Sequence, residues 1–202
     1  MPLSDPESET LPDGAPPWGL LEPWTRGGLR FRRAVIDAVA AESLRCAERG
    51  EEACGYLSGP GSDPTLVDEH VAMANLASAL HRADPAAWAR TARTSFAFSE
   101  KTFDEAFRVA RFAATPIKVL YHSHLDVGAY FSAVDRALMS RGEVAAPPEG
   151  VAGVDGDASK LGPGPKWPLA FLVTSVRGAV VEEHKLFVWS GSDFVESVYE
   201  IV

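Results

Sequence analysis

The run Ile117-Lys118-Val119-Leu120-Tyr121-His122-Ser123-His124, set off by Pro116, constrains this chain more than any other segment. It is largely apolar along its length rather than alternating, so it predicts a strand in the middle of a sheet, covered on both faces. Such a strand needs neighbours to pair with and helices to cover it. Residues 29–32 alternate like an edge strand. Residues 34–49 place Val35, Val39, Leu44 and Ala47 at roughly helical spacing, with Gly50 as the stop. Residues 51–59 suit a short buried strand, 60–64 a turn, and 66–73 a further strand. Residues 75–94 read as a loop with a helical turn, and 96–98 as a brief strand. Ser99 is the N-cap of a helix through Arg111, and Ser132 caps another reaching Arg141. Residues 169–176 and 180–189 form a hairpin about Arg177-Gly178, and 194–202 a terminal strand. The order predicts one domain of α+β (mixed α/β) class, a mixed β-sheet flanked by helices.

Composition sets the outer limits. The chain has 202 residues, 46% apolar and 23% charged, which is the range of a folded domain. Residues 1–27 are acidic, Pro-rich and aperiodic, and are expected to be a disordered tail, with Trp18 and Trp24 adhering to the domain surface. The folded domain is expected over 28–202, interrupted by a flexible Gly/Pro-rich insertion loop at 142–165. The N-terminus lacks the basic and apolar regions of a secretory signal, and no apolar run approaches the ~20 residues of a membrane span. A net charge of −9 argues against nucleic acid and anionic membranes as partners. Two cysteines, Cys46 and Cys54, are too few for a disulfide framework and read as free thiols of a cytoplasmic protein.

His122 and His124 stand at i and i+2 on the central strand, so both imidazoles project to one side. Ser132 and Asp135 stand at i and i+3 in the first turn of a helix. Two histidines and one carboxylate around a cation leave a fourth position open, the mark of a catalytic rather than a structural zinc site. The same donor set also occurs in non-haem iron sites. At average composition the full spacing, His-x-His, seven residues, Ser, two residues, Asp, arises by chance on the order of once in several thousand such chains.

The stretch from His122-Ser123-His124 to Ser132-Ala133-Val134-Asp135 resembles the JAMM motif of the JAB/MPN+ metalloproteases, and Glu52-Ala53-Cys54-Gly55 resembles that family's Glu-x-Cys-Gly segment. The resemblance runs from about Leu29 to the end and is greatest to bacterial single-domain JAB proteins. It implies a JAB/MPN-type fold with one zinc ion per chain held by His122, His124 and Asp135. It implies Glu52 as the general base, with the adjacent Glu51 left to solvent, and Ser132 as the group that positions the water or binds the developing oxyanion. It further implies peptidase or isopeptidase activity on the C-terminal tail of a ubiquitin-like or sulfur-carrier protein, after a Gly-Gly type end. A modifier-activating enzyme is a further partner by the same resemblance. Leu125 and Phe131 stand where many members carry Pro, which bears on loop shape and substrate fit. A non-catalytic MPN scaffold and a zinc hydrolase of small amides are the alternatives.

The remaining chemistry-bearing residues divide as follows. Ser123 points to the opposite face from the histidines and is structural. Asp126 is either an acceptor behind a ligand histidine or a turn former. Cys54 is a small buried apolar residue or, alternatively, a thiolate closing the open metal position. Cys46 is packing. His70, His81 and His184 lack partners at ligand spacing and suit surface or local hydrogen-bond roles.

Overall fold

The computed structural model of the chain describes residues 22–144 and 159–202. Strand β5 (Ile117–Leu125) is an inner strand of a six-stranded mixed sheet. β2 (Cys54–Ser58) pairs with it antiparallel on one side, and β6 (Ala170–Arg177) parallel on the other. β4 (Glu69–Met73) lies outside β2, while β7 (Val180–Trp189) and β8 (Phe194–Ser197) continue the sheet beyond β6. A separate parallel sheet has β1 (Leu29–Phe31) between β3 (Leu66–Val67) and β9 (Tyr199–Ile201). The helices are α1 (Arg33–Ala47), α2 (Ala77–Ala83), α3 (Glu100–Phe112) and α4 (Ala133–Met139).

The inner strands β2, β5 and β6 are buried on both faces, as the central strand requires. On one face Val119, Tyr121, Leu172 and Leu186 pack with Val35, Ile36 and Val39 of α1. On the other, Leu120, Phe171 and Val173 pack with Phe96, Phe103, Phe131 and Trp167. Strand alternation then sends Tyr121 and Ser123 to the α1 side and His122 and His124 to the aromatic side. Lys118 is fully buried on the same strand. Its ammonium donates to the carbonyls of Pro60, Asp63 and Leu66 at 3.0, 2.8 and 2.7 Å, which ties the 60–66 turn to the sheet.

Four expected elements differ in the structure. Residues 29–32 are not an edge strand, because β1 is paired on both sides, by β3 and β9. Residues 66–73 do not form one strand. The chain leaves the small sheet after Val67, and the Asp68 N–H bonds the Ser58 carbonyl before β4 joins the main sheet. Residues 194–202 divide in the same way between β8 and β9. Residues 96–98 are not a strand. The Ala97 N–H goes to the Asn75 side chain and its carbonyl to the Leu76 N–H, which leaves no ladder to join.

The expected tail also gives way at its last residues. Pro23–Arg26 forms a 3-10 turn in which Trp24 is buried and its indole N–H donates to the Pro168 carbonyl at 2.7 Å. Trp18 and most of the expected 142–165 loop lie outside the described residues. The two ends of that loop pair, with an antiparallel bridge between Glu143 and Lys160. No helix among the described residues is long and apolar enough to cross a membrane.

Candidate metal centre

Three buried side chains converge at the C-terminal end of β5. His122 Nε2 and His124 Nε2 lie 3.2 Å apart, and Asp135 Oδ2 lies 3.3 Å from the first and 3.6 Å from the second. They are one group of His, Cys, Asp or Glu side chains placed to hold a metal ion among the described residues. Each is held from behind. The His124 Nδ1 is 3.0 Å from the Gly128 carbonyl, which can only accept, so Nδ1 carries the hydrogen and Nε2 presents its lone pair to the cluster. The His122 ring stacks on Phe96 at 4.5 Å. Asp135 sits at the third position of α4 in a capping box with Ser132. The Ser132 Oγ accepts the Asp135 N–H at 3.0 Å, and Asp135 Oδ2 accepts the Ser132 N–H at 2.9 Å.

The residues present fit zinc. Bonds of 2.0–2.1 Å to a tetrahedral ion place neighbouring donor atoms about 3.3–3.4 Å apart, and the three separations bracket that value. The chemistry of the donors agrees. The His124 lone pair and the Asp135 carboxylate are both acceptors, and one hydrogen on His122 Nε2 would serve only one of them well. A cation between the three satisfies all of them. Burial pushes the His122 imidazole below its usual value, toward the neutral form that ligates. Burial alone would raise Asp135, but the two histidines outweigh it and hold its carboxyl well below the usual carboxylate range.

Glu52 reaches this place through the sheet. Cys54 of β2 stands opposite His122 of β5, and the contact extends one residue further. The Ala53 N–H donates to Ser123 Oγ at 2.8 Å, and the Ser123 N–H donates to the Ala53 carbonyl at 2.9 Å. Ser123 thus does structural work from the face opposite the histidines. On its other side the Glu52 N–H bonds the Ala92 carbonyl, and the Glu52 carbonyl accepts from Asn75 Nδ2 at 2.9 Å. Glu52 is 6% exposed and lines a cavity of about 80 Å³ together with His124, Ser132 and Asp135. Gly55 is required beside it. A Cβ there would run into the Val71 carbonyl and the Tyr121 ring.

Other expectations resolve as follows. Asp126 is not the acceptor behind a ligand histidine. That partner is the Gly128 carbonyl, and Asp126 instead pairs with Arg93 at 3.0 Å. Its own backbone is left-handed, at φ +63°, so it is the turn former. Cys54 is buried and lies outside the metal group, its Sγ lies 3.7 Å from the Met73 carbonyl, and burial pushes its thiol up to about 12. Both cysteines are free. His70 bonds the Tyr121 hydroxyl, His81 the Trp88 carbonyl and His184 the Thr174 hydroxyl. Sequence reasoning passed over Asn75, Phe96 and Tyr130, the last packed edge-on against His124 at 4.9 Å. Asn75 carries a weak signal, as an amide side chain at the start of an aperiodic stretch. The two aromatics carry none.

A family model described as prokaryotic homologs of the JAB domain matches residues 32–178. The solution structure of a protein from Desulfitobacterium hafniense aligns over 86% of this chain and 92% of that one at 17% identity, with a TM-score of 0.55. A solution structure from Salinibacter ruber aligns over the same shares at 17% identity, with a TM-score of 0.49. The first of these likenesses is one of fold. No curated protein matches the sequence.

Proposed function

Because the chain belongs to the prokaryotic homologs of the JAB domain, we propose that it is a zinc-dependent peptidase or isopeptidase acting on the C-terminal tail of a ubiquitin-like or sulfur-carrier protein. The observation that carries this reading is the triangle of His122, His124 and Asp135 donor atoms, with the buried Glu52 lining the same small cavity as His124 and Asp135. His122, His124 and Asp135 would hold the ion. Zinc bound there would supply a water acidified to a pKa of ~7 and a positive charge to polarise the scissile carbonyl.

The chain's own residues do the rest. Glu52 accepts the proton of the attacking water as the oxygen–carbon bond forms. It returns that proton to the amine nitrogen as the carbon–nitrogen bond breaks, so proton and leaving group balance within one site. Ser132 orients Asp135 through the capping box, and its hydroxyl, which accepts from Asp135, retains a hydrogen to donate toward the developing oxyanion. Pinning of the Glu52 peptide from both sides keeps the base from reorganising during the reaction.

The test combines metal content with hydrolysis of ubiquitin-like and sulfur-carrier proteins bearing C-terminal extensions. Wild type is expected to hold one zinc and cleave, and His122→Ala to lose the metal. Glu52→Gln is expected to keep the metal while kcat falls about 10²–10⁴-fold. Metal-loaded wild type without turnover on any protein tail would leave a non-catalytic scaffold. Turnover confined to short amides would leave a small-molecule hydrolase.

A further inference from the structure

Next to the metal cavity is a larger one of about 540 Å³. Its walls are Trp88, Phe96, Phe98, Leu138, Met139 and Trp167, with small alanines between them. Arg90, Ser95 and Val134 line both cavities, so the two are neighbours across these residues. Phe96 lines the larger cavity, and its ring stacks on His122 of the candidate metal group. Lys166 and Glu100 at the larger cavity pair with each other at 2.6 Å, and Lys166 also lies over the Trp167 ring, so neither adds net charge to the lining. Small-molecule and side-chain pockets span roughly 300–1,000 Å³ and are mostly apolar, and a cavity of ~150 Å³ already takes a benzene ring.

We propose that this cavity is the subsite for a bulky apolar side chain, aromatic or long aliphatic, on the substrate residue flanking the scissile bond. The proposal rests on the hydrolase reading above and sharpens its substrate class. A residue held across the metal on one side of Phe96 has its side chain beside this space, and a glycine has nothing to bury in it. Selection then comes from the tail residue itself as well as from the folded modifier. Burying one such side chain corresponds to roughly a 10- to 150-fold gain in kcat/KM over glycine.

Two measurements on the full chain test this. In the first, the uncleavable probes N-acetyl-phenylalanine amide and N-acetyl-glycine amide are titrated into the protein while the indole NMR signals of Trp88 and Trp167 are followed. The phenylalanine probe is expected to shift both signals saturably, at least tenfold tighter than the glycine probe. Ala87→Trp, which narrows the cavity from an exposed position on its wall, is expected to abolish that shift with zinc content unchanged. In the second, protein-tail substrates carry Phe, Leu or Gly at the residues flanking the cut, and kcat/KM is compared.

Cleavage with Phe and Gly tails within threefold of each other, and no indole shift, overturns the subsite while leaving the hydrolase standing. Saturable binding of the phenylalanine probe in a protein that cleaves nothing overturns the hydrolase reading but upholds a pocket for bulky apolar groups. An indole shift that survives in Ala87→Trp with unchanged affinity assigns the probe elsewhere and overturns the proposal.

Discussion

Replacing Asn75 removes the joint that holds the Glu52 peptide against the neighbouring loop. The Asn75 Nδ2 donates to the Glu52 and Ser95 carbonyls at 2.9 and 3.0 Å, and its Oδ1 accepts the Ala77 and Ala97 N–H groups at 3.0 and 3.2 Å. Every polar position of the amide is therefore matched to a backbone group of the right kind. At about 1 kcal/mol net for each bond the four sum to about 4 kcal/mol. Asn75 is half-buried, so water replaces part of what is lost. Asn75→Ala is expected to cost about 2–3 kcal/mol, or a melting temperature lower by roughly 4–12 °C for a chain of this size. Urea unfolding followed by tryptophan fluorescence measures it. Asn75→Asp is the sharper variant. It keeps both acceptor contacts but turns an anionic oxygen toward two carbonyls, and is expected to cost at least as much as alanine. On the proposed function, the hydrolytic rate of either variant, measured well below its melting temperature, is expected to fall further than the folded fraction does, because the Glu52 carbonyl loses its anchor. An aspartate variant as stable as wild type, or an alanine variant within 0.5 kcal/mol of it (about the scatter of ordinary surface substitutions), would refute the reasoning.

Two more outcomes follow from buried polar groups. Lys118→Ala strips the donor from three carbonyls at once and is expected to cost about 3–5 kcal/mol in urea unfolding; a cost below 1 kcal/mol, about that of a single net hydrogen bond, would mean that the ammonium contributes nothing net. Burial holds His70 and His184 below their ordinary 6.5, with Glu42 only partly offsetting it at His70. The unfolded chain therefore binds protons that the native chain does not, and this part of the stability is complete above about pH 6.5 and lost as pH falls below it. His70→Gln with His184→Gln is expected to flatten the dependence of unfolding free energy on pH between about 7 and 5, and an unchanged slope would contradict it.

The convergence of His122, His124 and Asp135 was legible in the sequence because its geometry is local. Residues i and i+2 of a strand share a face whatever surrounds them, and a serine and an aspartate three apart at a helix start form a capping box through their own backbone. The central strand, the helix starts at Ser99 and Ser132 and the hairpin at Gly178 were legible for the same reason. Local signals failed where the partner decided the outcome. Residues 66–73 and 194–202 each look like one strand, yet each is shared between two sheets. Residues 96–98 alternate like a strand, yet their polar groups are taken by Asn75 and Leu76.

By itself, then, the sequence determined which side chains can meet a metal ion, since bond geometry and strand period carry that over a dozen residues. Only the tertiary structure decided that Glu52 shares a cavity with His124 and Asp135. That depends on β2 pairing with β5 across 70 positions of chain and on Asn75 anchoring the loop beside it. It also decided that Phe96 backs His122 and that an apolar cavity opens beyond. Space between packed elements belongs to no segment, so no periodicity or spacing within one segment encodes it.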